Sequence, residues 1–319
     1  MRSTTIRFVP RRPRRAFTLI ELLVVVGLVV LLIGLLLPAL AKVRTQSRNV
    51  ASESVMRGLG DAADSFFMAV GRYPGYVPEG QLNRTDGVWD EWSSTENALV
   101  ELLGGLVPES DSVGDEVAIN IGDRVKIDRD KIGDGPTVNG AKYNAFLVPD
   151  PRNLRYVNGQ LGQATVTDNS PDEGVAAFPD LVDDWGMPIL FWRNSGQKPR
   201  DLDEGMIVAR HSDNAGAKFY YAGLQSYTNS TGLVGDDETI DQSSQSLLSA
   251  DGNGAIDELA QVLTAHPSLA GTARGGYVIL GAGADGAYFG REDFNGDPAS
   301  ITADDLQDFD DLILVGGSE

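Results

Sequence analysis

One run of sequence constrains this chain more than any other. From Phe17 to Ala41 every residue is apolar or small except Thr18 and Glu21. A helix needs about 20 apolar residues to cross the hydrocarbon of a bilayer, so this run is long enough to span one. Residues 1–16 hold six Arg (Arg2, Arg7, Arg11, Arg12, Arg14, Arg15) and no acid. Basic residues flanking a span stay on the cytoplasmic side, which orients the remainder outward. A cleaved secretory signal has a shorter apolar core, about 7–15 residues, followed by a small-residue cut site. This run is longer than that, and the residues after it make a poor cut site. A plain anchor explains the length and the Arg cluster but leaves Glu21 without a reason. A carboxylate at mid-span costs about 2.5–3.5 kcal/mol on insertion scales, and less near the end of the helix.

The stretch "RRAFTLIELLVVVGLVVLLIGLLLPAL" resembles the leader and first helix of type IV pilins and of the pseudopilins of type II secretion systems. The resemblance implies a cut by prepilin peptidase between Ala16 and Phe17 and methylation of the new Phe17 amine. The family usually has Gly where this chain has Ala16; Ala is also small, so slower cutting is expected rather than none. Pro38 matches a helix-bending Pro of the family. The resemblance also gives Glu21 a role in assembly. In a packed filament its carboxylate would pair with the Phe17 amine of a neighbouring copy, because a charge in an apolar medium strongly favours a partner. The bland reading is an acid in the first turn, favoured by the helix dipole and reaching the interface.

Residues 39–57 contain neither Gly nor Pro, so the helix can continue past the span as a polar stem. Val55, Leu59, Ala62, Ala63, Phe66, Phe67 and Val70 then recur at helical spacing, which predicts one face to bury. The turn "GRYPGYVPEG" ends it, with Pro74 and Pro78 as breakers. The expected organisation is a basic leader at 1–16, a transmembrane helix at 17–41, a stem at 42–70 and a periplasmic head at 71–319. The expected fold class is α+β: a long N-terminal helix packed on a small antiparallel sheet with long inserted loops, as in pilins. Within the head, "STENALVELLGGL" predicts a short capped helix. "VAINI", "YNAFLVP", Pro188 to Arg193 and "KFYYAGLQSY" predict strands, and 195–260 reads mostly as inserted loops. "DDWGMPI" resembles a turn of major pseudopilins, with Asp184 where the family often has Pro.

The chain is acidic, with 26 basic and 46 acidic residues. Loss of the leader's six Arg would leave a net charge of −26. Such a surface repels nucleic-acid phosphates and attracts cations. Ten acids and one base, Arg291, fall within 285–319. "YVILGAGADG" resembles the last strand and loop of pseudopilins, whose carboxylate-rich loop holds calcium. By that resemblance Asp285, Asp304, Asp305, Asp310 and Asp311 are the candidate ligands. Calcium takes six to eight hard oxygen ligands. "DFNGDPASITADD" independently offers Asp293, Asn295 and Asp297 in EF-hand-like alternation, but Pro298 stands where that loop needs Gly. A solvated acidic surface is the plain alternative.

The chain has no Cys and two His, His211 and His266, in no ligand-spaced motif. No nucleophile, base and acid set is evident, so no enzyme is expected. The resemblance implies a structural subunit of a type II secretion system, in the inner membrane with a cytoplasmic N-terminus and a periplasmic head. Its implied partners are other pseudopilin copies, minor pseudopilins, the prepilin peptidase and the inner-membrane assembly platform. A minor type IV pilin with an enlarged binding head is the competing function.

Overall fold

The helical pattern of the N-terminal region extends unbroken through α1, Leu19–Val70. In the computed structural model the described residues are 19–77, 94–108, 116–121, 123–155, 179–195, 208–211, 218–221, 246–248, 256–266, 273–297 and 300–317. The chain divides into two compact units, Met1–Ser47 and Arg48–Glu319.

In the first unit the side chains of the described residues, 19–47, are exposed. Its large apolar residues from Leu19 to Leu40 are all exposed, each presenting about half or more of its surface, and the most apolar window of α1 has a mean hydropathy of 3.1. Among the described residues, α1 is the one helix long and apolar enough to cross a membrane. Pro38 lies inside it and removes one donor from the helical ladder.

In the second unit α1 turns one face inward. Ser52, Met56, Leu59, Gly60, Ala62, Ala63 and Phe66 are buried, at the three- and four-residue spacing of one helical face. Gly60 sets the closeness of packing. A Cβ there would lie 2.9 Å from the Tyr277 hydroxyl and 3.2 Å from a Leu314 methyl. The glycine that weakens the helix as a peptide thus permits its contact with the sheet.

That sheet has five strands, all antiparallel: β8 (Leu190–Ser195), β9 (Val208–His211), β10 (Lys218–Tyr221), β11 (Tyr277–Gly281) and β12 (Leu312–Gly316). Their order is β12-β11-β8-β10-β9. Successive strand residues point to opposite faces, and both faces are covered. Tyr277, Ile279, Phe191, Leu312 and Leu314 join the core with α1 and α2 (Ser94–Leu103). Val278, Leu280, Trp192, Ile313 and Val315 join a second core with α3 (Ile256–Thr264). Coverage on two faces explains why "YVILG" is a continuous apolar run rather than an alternating one. Smaller pairings flank the sheet: β1 (Leu106–Pro108), β2 (Glu116–Ile121) and β3 (Asp123–Asp128) form one three-stranded sheet. Two-stranded pairs join β4 (Thr137–Val138) to β5 (Ala141–Lys142) and β6 (Leu154–Arg155) to β7 (Asp180–Leu181). A long helix with antiparallel sheets is the α+β, pilin-like architecture expected.

α2 is buried along its whole length, and its polar side chains act as fasteners. The Thr95 hydroxyl donates to the Ile189 carbonyl at 2.8 Å and accepts from the Phe191 N–H at 2.9 Å. Asn97 accepts from the Val77 N–H at 2.7 Å and donates to its carbonyl at 3.0 Å. Glu101 takes two bonds from Arg72, at 2.5 and 2.6 Å, and one from the Gly75 N–H at 2.7 Å.

Three sequence expectations are corrected. "YNAFLVP" is not a strand. Its backbone closes the end of α2 instead, with the Phe146 N–H on the Leu102 carbonyl at 2.8 Å, while Phe146 and Leu147 pack into the core. β11 is not the last strand, since β12 pairs with it from Tyr277↔Gly316 to Gly281↔Leu312. The loop reading of 195–260 misses β9 and most of α3, while β10 falls in the expected "KFYYAGLQSY" strand.

Candidate functional site

The segment between β11 and β12 turns back on itself and gathers carboxylates. One oxygen from each of Asp285, Asp293 and Asp310 lies within 4.8 Å of the others. Local backbone fixes two of them. Asp285 Oδ1 accepts the Ala287 N–H at 2.9 Å. Asp310 Oδ2 accepts the N–H groups of Ala284 and Asp285 at 2.7 and 3.3 Å, which ties the end of the segment to its beginning. Gly283 makes room for this closure. Its φ is +69°, and a Cβ there would sit 2.4 Å from Asp310 Oδ1. Asp311 points beside the group, its Oδ2 accepting from the Phe289 N–H at 2.9 Å.

The electrostatics match the crowding. Burial pushes Asp285 up to about 6, with Asp310 and Asp293 adding repulsion. Burial also raises Asp293, together with Asp310 and Glu292. Asp311 is held well above the ordinary carboxylate range by burial, opposed by the Phe289 N–H and reinforced by Asp310, Asp285 and Asp293. Asp293 Oδ2, Asp310 Oδ1 and Asp311 Oδ1 are buried with no hydrogen-bond partner among the described residues. Buried polar atoms are usually satisfied. These oxygens form a hard, anionic donor set of the kind calcium takes.

The other predicted acids stand elsewhere. Asp305 accepts the Thr302 N–H at 2.7 Å and its hydroxyl at 2.6 Å, and those bonds hold its carboxyl below the ordinary range. Asp304 is exposed at the start of a short 3-10 turn, and Asn295 and Asp297 are exposed. The cluster therefore joins Asp285 and Asp310, chosen by the family loop, to Asp293, chosen by the EF-hand-like alternation.

A second constellation lies where the "DDWGM" turn meets α1. Asp183 Oδ1 accepts the N–H groups of Trp185 and Met187, each at 2.9 Å. The turn so shaped fastens to the helix. Trp185 Nε1 donates to Asn49 Oδ1 at 3.0 Å, and the Asp184 N–H donates to the Ser52 hydroxyl at 3.1 Å. The Arg48 guanidinium lies 4.8 Å over the Trp185 ring. Burial drives Asp183 up to about 6 against the pull of its backbone donors. The stem-side partners Asn49 and Ser52 were not legible in sequence, because each is an ordinary polar residue in a polar helix.

Glu21 lies in the first turn of α1, whereas Ala16 and Phe17 fall outside the described residues. Residues 11–37 match the family model of the prokaryotic N-terminal methylation motif. This is the prepilin-type cleavage and methylation signal of type IV pilin-like proteins. The long helix and the antiparallel sheets are consistent with an α+β pilin-like fold, and the signal supports a type IV pilin-like protein. The signal implies processing by prepilin peptidase and assembly into pilus-like polymers. No curated protein matches the chain, and no solved structure does.

Proposed function

We propose that this chain is a pseudopilin of a type II secretion system, a structural subunit rather than an enzyme. Prepilin peptidase cuts between Ala16 and Phe17, and the Phe17 amine is methylated. The protein then sits in the inner membrane with its N-terminus cytoplasmic and its head periplasmic. The assembly platform draws it into a periplasmic pseudopilus with further copies and minor pseudopilins. Glu21 of one copy pairs there with the Phe17 amine of the next. Calcium is held by Asp285, Asp293 and Asp310, with Asp311 beside them; a divalent cation would neutralise this crowded negative charge.

The observation that carries the secretion reading over a pilus reading is the carboxylate cluster behind β11, in the segment that resembles the pseudopilin calcium loop. The elements within 195–260 favour a second reading, a minor type IV pilin whose enlarged head binds a surface or substrate. Deletion in the source organism separates the two. The secretion reading expects exported proteins to accumulate in the periplasm, with surface pili unchanged. Intact export with lost surface pili or lost adhesion would establish the second reading instead.

A further inference from the structure

Directly after the apolar run, α1 carries a short basic segment, "KVRTQSR" at 42–48, with no acid on the helix between Glu21 and Glu53. Residues 42–48 are exposed. Among the described residues neither Lys42 nor Arg44 is in an ion pair. At about 100° per residue, Lys42 and Arg44 fall on nearly opposite sides of the helix. The charges thus form a ring rather than a stripe. A protein partner docking on one helix face would need a stripe; a layer of headgroups surrounding the helix meets a ring from every side. The rest of the mature chain is strongly acidic, so an anionic bilayer would repel the head without a local counterweight.

We propose that Lys42 and Arg44 form a collar that binds anionic lipid headgroups where the helix leaves the apolar layer. This rests on reading residues 17–41 as a membrane span. Lys and Arg flexible stems keep contact with the apolar boundary while the charges reach phosphate. The attraction is short-ranged and screened by salt.

The test uses the full chain in vesicles of phosphatidylcholine, or of phosphatidylcholine mixed with phosphatidylglycerol. Flotation reports insertion, and mass spectrometry counts the lipids retained after mild detergent extraction. The expected result is flotation with both vesicles and retention of phosphatidylglycerol in excess of its share. The double variant Lys42→Gln/Arg44→Gln should lower that excess on the order of tenfold at low salt. The swap Lys42→Arg/Arg44→Lys should keep it. Flotation with neither vesicle removes the span reading and this inference together. Flotation with both but no anionic excess, or an excess unchanged in the double variant, overturns this inference alone. An unchanged lipid ratio with reduced cross-linking between copies assigns the collar to a second chain and likewise overturns it.

Discussion

Trp185 Nε1 donates to Asn49 Oδ1 at 3.0 Å, joining positions 136 residues apart in sequence. The bond fixes a turn of the head to one turn of α1, and the stack of Arg48 on the same indole reinforces it. Trp185→Phe keeps an aromatic face but removes the donor. The expected loss is about 1 kcal/mol for the hydrogen bond, read as a lower unfolding midpoint of the full chain in detergent. Asn49→Ala should lose a similar amount, and the double variant little more than either alone. Fully additive losses would mean the two side chains do not act as a pair.

Asp183 gives the head a pH dependence of definite sign. Burial raises its carboxyl from 3.8 to about 6 in the folded chain. The folded state therefore binds the proton more readily than the unfolded state between those values. Its contribution to stability rises as pH falls through 6 toward 4, and the ionised group is a cost above that window. Asp183→Asn retains an acceptor for the Trp185 and Met187 N–H groups and removes the buried charge. It should flatten stability between pH 4 and 7 and raise it at neutral pH by at most about 3 kcal/mol. Denaturant titrations of both chains across that range check this; parallel curves would show that Asp183 ionises without penalty.

Glu101 is nearly buried and receives Arg72 and the Gly75 N–H. Glu101→Ala leaves the Arg72 guanidinium and the Gly75 N–H without that acceptor. Arg72 is partly exposed, so solvent screens part of the loss, and the expected destabilisation is about 2–3 kcal/mol. Arg72→Ala, which strands a buried carboxylate, should cost at least as much. Equal stability of wild type and both variants would make the pair incidental.

Calcium should raise the melting temperature of the full chain in detergent beyond sodium at matched ionic strength. A ligand selective for the folded form adds about 2.7 kcal/mol at a hundredfold excess over Kd. Magnesium should do less, because it prefers a tight octahedron and dehydrates reluctantly. Since Asp285 and Asp293 face one another, either changed to Ala should remove most of the calcium-specific gain, while Asp297→Ala should leave it. Equal shifts from calcium, magnesium and sodium would reduce the cluster to a screened acidic surface.

Glu21→Ala should insert normally and assemble poorly. The change lowers the cost of insertion and deletes the partner proposed for the Phe17 amine. Wild-type filament yield at equal membrane level would return Glu21 to the role of an acid at the membrane interface. N-terminal sequencing of the wild-type membrane protein should begin at methylated Phe17, and a chain that keeps Arg2 with peptidase present would contradict it.

The inward face of α1 was legible because its signal is a period: Leu59, Ala62, Ala63 and Phe66 repeat at helical spacing whatever they touch. α2 was legible as a helix but not as a buried one. Thr95, Asn97 and Glu101 make it look half solvated, yet their partners are Ile189, Val77 and Arg72, groups that only the folded chain brings near. β12 escaped notice because "LILVG" follows a dense acidic stretch that reads as loop. Its role depends on register against Tyr277, which local sequence does not carry. In the carboxylate cluster two patterns competed. Neither alone contains the set, because Asp310 reaches Asp285 only through the return of the chain after Asp293.

The hydroxyl of Tyr277 reaches Asp64 across 213 residues, and the same strand packs on the face of α1 through Gly60. This is a contact of very long loop closure, the kind that slows folding. As the chain is made, the face carrying Met56, Leu59, Ala63 and Phe66 emerges well before β11 and β12 exist to cover it. In the interval that face is a sticky surface, open to wrong partners. Holding this nascent helix apart until the sheet arrives is therefore a kinetic requirement of the architecture, separate from the stability of the finished head.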